Sequence, residues 1–245
     1  MITFTVFSDK GGRDINEDAI GHAEKGNAHC FVLCDGLGGH GLGDVASKIV
    51  TDSVLEGFVS CRENDLKKIK KLFDDAQKDL LKEQEKRFAK KEMKTTATIL
   101  VIDRNVYFYG HIGDSRMYSF ENNKIMFRTL DHSVPQMLVL AKQINENEIR
   151  NHSDRNRLLR VMGNEWDEDS YEIGPRRKIK KNQSFLLCSD GFWECIEETE
   201  MTHTLEEAAN PDDWMKKMLH IIENNHYKKK EEMDNYSAIA VWNRE

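Results

Sequence analysis

Proline is scarce, with three residues in a chain of 245, so no Pro-rich linker divides the sequence. Five cysteines (Cys30, Cys34, Cys61, Cys188 and Cys195) stand apart and none forms a CxxC pair, which argues against a zinc framework and a thioredoxin-like motif. No apolar run approaches the roughly 18–20 residues needed to cross a bilayer. No Gly-Lys-Ser/Thr occurs, so a P-loop is excluded. Basic charge is in deficit: 36 Lys and Arg against 43 Asp and Glu leave a net charge of −7. That balance argues against general nucleic-acid binding, which needs a clustered basic field. No repeat at the solenoid or propeller periods is visible. Met1 to Asp9 alternates like a strand, unlike a basic n-region followed by an apolar h-region. With an odd number of cysteines, this opening predicts reduced thiols and a soluble, unanchored, cytoplasmic protein.

What is present suits a globular protein, with 39% apolar and 32% charged residues. The length suffices to bury a core without disulfides or structural metal. Residues 3–8 and 29–34 read as strands, the second a short apolar run. Val45, Ala46, Ile49, Val50, Val54 and Phe58 recur at helical spacing and predict a helix over 43–60. A second long helix is expected within 62–92, with Leu66, Ile69, Phe73, Ala76, Leu80 and Leu81 on one face. From residue 95 four short strands follow (95–102, 106–112, 117–120, 124–129), joined so tightly that they must be antiparallel. Residues 133–142 read as helix and 143–170 as a polar flap. Strands are expected near 171–179 and 183–188, helices over 197–208 and 211–226, and a last strand at 237–242. Helices inserted among antiparallel strands imply a layered α+β fold in one domain.

Two segments run a buried strand into Asp-Gly: Phe31 to Gly36 and Phe185 to Gly191. Glu17-Asp18, Asp114 and Asp234 also lie beside strands. Each Asp-Gly alone is a common turn. Several carboxylates at one rim would repel one another and require protons or a divalent cation. Oxygen donors without a Cys or His cluster favour Mg²⁺, Mn²⁺ or Ca²⁺ over zinc. A rival lies in Gly36-Leu37-Gly38-Gly39-His40-Gly41, which matches GxGxxG between a strand and a helix. Against it, Asp35 would face a pyrophosphate, and Glu56, the acidic residue at the expected distance, falls inside a helix.

Six short motifs run in order along the chain: Arg13-Asp14-Ile15-Asn16-Glu17-Asp18, Asp35-Gly36-Leu37-Gly38-Gly39-His40, Gly113-Asp114-Ser115-Arg116, Asp131-His132-Ser133, Ser189-Asp190-Gly191 and Asp234-Asn235. Taken together, they resemble the metal-dependent serine/threonine protein phosphatases (PPM, type 2C) in their compact bacterial form, the first being similar to that family's R-x-x-N-E-D and the second to its D-G-x-G-G-H. The resemblance implies a four-layer α/β/β/α sandwich: two antiparallel sheets flanked by helices, with a small flap. It implies two Mn²⁺ or Mg²⁺ ions, with Asp35 bridging them, the Gly36 carbonyl on one, and Asp190 and Asp234 on the other. Glu17 and Asp18 would lie against the metals as ligand or as acceptor for bound water. Asp114, with Asp190, matches the site of a third, weaker ion. Arg13 would fork onto the substrate phosphate, and a metal-bridging hydroxide would attack phosphorus directly. Read from its neighbours alone, Arg13 would be a surface ion pair with Asp14 or Glu17.

One departure concerns the leaving group: Leu37 stands where some relatives carry a histidine general acid, and His40 is a remote substitute. Ser115 and Ser189 are expected to orient carboxylates, and His111 and His132 to be structural. The implied partners are phosphorylated proteins and an opposing serine/threonine kinase, with the phosphatase a monomer. Two rival functions stay open: a catalytically silent phosphoprotein-binding or sensor relative, and a small-molecule phosphatase.

Overall fold

The computed structural model describes residues 1–37, 41–61, 65–166, 170–229 and 232–243. Gly38, Gly39 and His40 lie outside the described residues, and so does the side chain of Leu66.

The chain begins with β1 (Ile2–Asp9), β2 (Asp18–Lys25) and β3 (Ala28–Leu37). Two long helices follow, α1 (Gly43–Ser60) and α2 (Asp65–Arg87). Next come β4 (Lys94–Thr95), β5 (Ala97–Asp103), β6 (Val106–Ile112), β7 (Arg116–Glu121) and β8 (Lys124–Arg128). The helix α3 (Val134–Leu140) and a 3-10 turn at Glu146–Asn151 lead to β9 (Glu172–Ile173), β10 (Arg177–Lys178) and β11 (Gln183–Cys188). The chain closes with α4 (Asp190–Trp193), α5 (Glu198–Glu207), α6 (Pro211–Lys229) and β12 (Tyr236–Asn243).

The strands form two antiparallel sheets. One has the order β1-β12-β11-β7-β8, the other β10-β6-β5-β3-β2, with β4 on β3 and β9 on β6. Side-chain alternation divides the apolar residues into three layers. Phe31, Leu33, Leu100, Met117, Leu187 and Ile239 fill the space between the sheets. Val32, Ile99 and Val101 face the other way, onto Val50, Val54, Phe58 and Phe73 of α1 and α2. Leu186, Ala238 and Ala240 face Phe192, Met201, Trp214 and Met218 on the opposite flank. The result is the expected four-layer α/β/β/α sandwich.

Three local features depart from the sequence reading. Residues 18–25 carry no strand signature, because Ala19, Gly21 and Ala23 are poor strand formers, yet they form β2. Gly21 explains why such residues are used. A Cβ there would sit 2.5 Å from Leu55 Cδ1 and 3.1 Å from Thr51 Cγ2, so a side chain would force these α1 residues to shift. The strand expected over 171–179 is split into β9 and β10 by Gly174-Pro175, proline having no N–H for the ladder. The second helix ends at Arg87, short of 92, where Phe88 takes a left-handed φ of 57°.

Candidate active site

Strand direction brings the acidic motifs together. β3 and β11 run toward one rim of the sandwich, β3 with Asp35 two residues before its end and β11 ending just before Asp190. β2 and β12, antiparallel to them, start at that rim, at Asp18 and just after Asp234. Asp114 lies in the β6–β7 connection, where the chain crosses from one sheet to the other at the same rim. An open cavity of about 680 Å³ is the consequence, lined by Arg13, Glu17, Asp35, Gly36, Asp114, Asp190 and Asp234. Asp18 is buried behind it, directly opposite Asp35 in the β2–β3 register.

Each carboxylate is held by named neighbours. The Ser189 hydroxyl donates to Asp18 Oδ2 at 2.9 Å and accepts from the Ser237 amide at 2.9 Å. Asp18 Oδ1 is buried with no hydrogen-bond partner. The end of β3 is fixed on both sides of Asp35. Its amide donates to Thr96 Oγ1 at 2.9 Å, and its carbonyl accepts from Thr95 Oγ1 at 2.8 Å and the Thr96 amide at 2.8 Å. Ser115 reaches this set through a hydroxyl–hydroxyl contact with Thr96 at 2.8 Å. The Asp114 carbonyl accepts from the Trp193 indole at 3.0 Å. Gly36 lies so close to the start of α1 that a Cβ would come 2.3 Å from the Gly43 carbonyl oxygen and 2.6 Å from that of Glu17. The Glu17 carboxylate in turn lies against Gly43 at the N-terminus of α1, where the helix favours negative charge.

Asn235 organises the loop that carries the first motif. Its side-chain oxygen accepts from the Glu17 amide at 2.8 Å, and its amide donates to the Lys10 and Ile15 carbonyls at 2.9 Å each. This loop positions Arg13, whose guanidinium pairs with Asp234 Oδ2 at 3.0 Å. The partner is therefore neither Asp14 nor Glu17, because the loop folds back toward β12 and aims the side chain into the cavity.

The electrostatics follow from burial. Removal from water pushes the Asp35 and Asp114 carboxyls well above the usual range, and neighbouring acids, Asp190 first, push them further. Burial raises Asp18 to about 7, against the Ser237 and Ser189 hydrogen bonds that lower it. Asp190 is raised to about 6 by burial and by Asp234. Burial also raises Glu17. This donor set fits hard divalent cations. It consists of oxygens, it repels itself, and it contains a buried carboxylate oxygen without a partner.

Several positions that shape the site had no role in the sequence reading. Asn235 was visible only as half of a motif, and Thr95, Thr96 and Trp193 carried no signal. Lys91, Lys94 and Asn156 also line the cavity. His111 and His132 stack with ring centroids 4.6 Å apart. The first contacts the Leu130 carbonyl and the second accepts from the Gly113 amide.

Comparison with known proteins agrees with this arrangement. The family profile described as protein phosphatase 2C matches residues 11–236. The chain is 29% identical over 202 residues to the serine/threonine phosphatase stp of Listeria welshimeri, covering 79% of each chain. Its fold matches the crystal structure of serine/threonine phosphatase Stp1 from Staphylococcus aureus at a TM-score of 0.87 and 28% identity, over 99% of this chain and 95% of that one. A more distant likeness, at 22% identity and a TM-score of 0.82, is to the catalytic domain of PstP in complex with two manganese ions, over 98% of this chain and 97% of that one. A likeness that distant bears on fold alone. The chain belongs to the protein phosphatase 2C family.

Proposed function

We infer that the cavity is the active site of a serine/threonine protein phosphatase, which hydrolyses phosphoserine and phosphothreonine monoesters of proteins with the help of divalent cations. The observation that carries this reading is the convergence of Asp35, Asp114, Asp190 and Asp234 in one cavity with Arg13 at its mouth. In this reading Asp35 would serve both of two ions, the Gly36 carbonyl one of them, and Asp190 and Asp234 the other; Asp114 with Asp190 would hold a weaker third. The PstP catalytic domain, a structural neighbour, is described with two manganese ions. Whether this chain uses Mn²⁺ or Mg²⁺ follows from availability, since both take oxygen donors.

When bound, divalent ions at these residues would supply charge neutralisation and activate water near neutral pH. The chain's own residues do the rest. Arg13 offers two parallel N–H donors to phosphate oxygens, a geometry lysine does not reproduce. Its present partner, Asp234, is one of the proposed ligands. A cation and the Arg13 guanidinium would therefore compete for the same carboxylate. Asn235 and Ser189 fix Glu17 and Asp18 against the cavity. Leu37 also lines the cavity and offers no proton, so the leaving group draws its proton from elsewhere than this position. The whole chain acts as one catalytic domain with 143–170 as its flap, in the cytoplasm, as a monomer opposing a serine/threonine kinase.

The test is release of phosphate from a phosphothreonine peptide with and without Mn²⁺, by the wild type and Asp190→Asn. Metal-dependent release by the wild type alone supports the reading. Equal, metal-independent release by both proteins refutes it. Saturable binding without turnover favours a silent phosphoprotein-binding relative, and turnover of small phosphate esters but not the peptide favours a metabolite phosphatase.

A further inference from the structure

At the other end of the β2–β3 hairpin lies a second group of metal-ligating side chains. His22 and Glu24 are two residues apart on β2, so they share a face. His29 is the cross-strand partner of Glu24 on β3. The three meet at one point. His22 Nε2 lies 3.2 Å from His29 Nδ1, and Glu24 Oε1 lies 3.8 Å and 3.5 Å from these nitrogens. For a tetrahedral ion with bonds of about 2.0–2.1 Å, donor atoms stand about 3.3–3.4 Å apart. The observed triangle has nearly those edges.

The rings are held in place by packing as well as by one another. His22 stacks on Phe31 at 4.6 Å and touches Phe4 at 4.3 Å, while His29 stacks on His22 at 5.4 Å. Side-chain exposures of 15% and 19% for the histidines, and 59% for Glu24, make a half-enclosed niche with one open side. In the absence of an ion, one ring donates its proton to the other across the 3.2 Å contact. To bind a cation the two rings turn off this head-on contact so that both lone pairs converge on the ion, and that proton moves to the far nitrogen of its own ring.

We propose that His22, Glu24 and His29 form a second metal site, specific for a borderline transition-metal ion such as Zn²⁺, with water at the open fourth vertex. Two imidazoles and one carboxylate discriminate against Mg²⁺ and Ca²⁺, which take oxygen. The site is separate from the phosphatase cavity. Glu24 is six residues from Asp18 along β2, about 20 Å at ~3.3 Å per residue. The buried Phe31 and Leu33, with Ile20, fill the same face of the hairpin between the two ends. An ion here clamps the turn end of the hairpin, whose open end presents Asp18 and Asp35.

The test is titration of the whole protein with Co²⁺ in excess Mg²⁺, which keeps the oxygen-lined cavity filled with a hard ion. Wild type is expected to take up one equivalent of Co²⁺ with the intense visible bands of a tetrahedral nitrogen-ligated ion. His22→Gln and His29→Gln are expected to lose those bands while retaining phosphatase activity. Glu24→Gln, at the exposed vertex where folding is not in question, should weaken Co²⁺ binding by about tenfold or more, since even outer partners of a metal contribute about 10–100-fold. Asp190→Asn should keep the bands, which separates this site from the catalytic one. Only weak octahedral absorption in wild type, or tetrahedral bands that persist unchanged in Glu24→Gln and His29→Gln, would overturn the proposal.

Discussion

Asp18 and Asp35 are direct cross-strand partners in the β2–β3 pair, Asp35 lining the acidic cavity and Asp18 buried behind it. Like charges in that position destabilise a sheet. Their pairing makes sense only if protons or cations are held between them.

The first expectation concerns pH and metal. In the metal-free protein Asp18 titrates near 7 and Asp190 near 6, both above the ordinary carboxylate value. A raised folded pKa contributes stability that is full below the unfolded value of ~3.9 and lost as pH rises through the folded value. The melting temperature of the metal-free protein should therefore fall between pH 5 and pH 8, and Mn²⁺ should raise it more at pH 8 than at pH 5. Thermal unfolding with chelator or Mn²⁺ at both pH values measures this; an equal increment would contradict it.

Asp190→Asn should move activity and stability in opposite directions. Loss of a proposed ligand should lower kcat/KM by on the order of 10²–10³-fold, the several kcal/mol a metal Lewis acid supplies. The same change removes one charge from the repelling cluster, so the metal-free variant should melt higher than metal-free wild type at pH 8. A merely structural aspartate would lower both.

Arg13→Lys keeps the charge and removes the fork. A rise in KM of about tenfold with little change in kcat is expected, the signature of lost uniform phosphate binding. The pair with Asp234 is half exposed on both sides, so stability should change by less than about 1 kcal/mol. Steady-state kinetics and urea unfolding of the variant read the two quantities separately.

A buried ion pair props the floor beneath Asp114. Arg116 donates to both Asp131 oxygens, at 2.8 and 2.7 Å, and lies 3.3 Å above the ring of Trp193, whose indole holds the Asp114 carbonyl. Both side chains are almost wholly buried, at 2% and 1% exposure. Asp131→Ala would remove the bidentate carboxylate and leave the guanidinium with Glu198 at 3.6 Å as a remaining acidic partner, and should cost about 3 kcal/mol in chemical denaturation.

Much of this site was legible in the sequence because its chemistry is carried by short segments at strand ends. Asp35 and Asp190 each follow an unbroken apolar run, and such runs read as buried strands without tertiary information. What stayed hidden depends on contacts between distant segments. β2 is built from alanine and glycine because α1 presses on it, and nothing local signals that pressure, although the Gly26-Asn27 turn between Lys25 and Ala28 could have suggested a hairpin. Asn235 links three backbone groups more than 200 residues away, a role that no spacing in the sequence conveys. The Arg13–Asp234 contact is hidden for the same reason: the sequence neighbours of Arg13 are acidic, but the loop turns it toward Asp234.

The most direct measurement of the shared-metal claim is anomalous scattering from a crystal of this protein soaked in Mn²⁺. The expected map has two adjacent peaks in the cavity, both touching Asp35, with the Gly36 carbonyl on one and Asp190 and Asp234 on the other. An empty cavity, or manganese that binds without contacting Asp35, would contradict it.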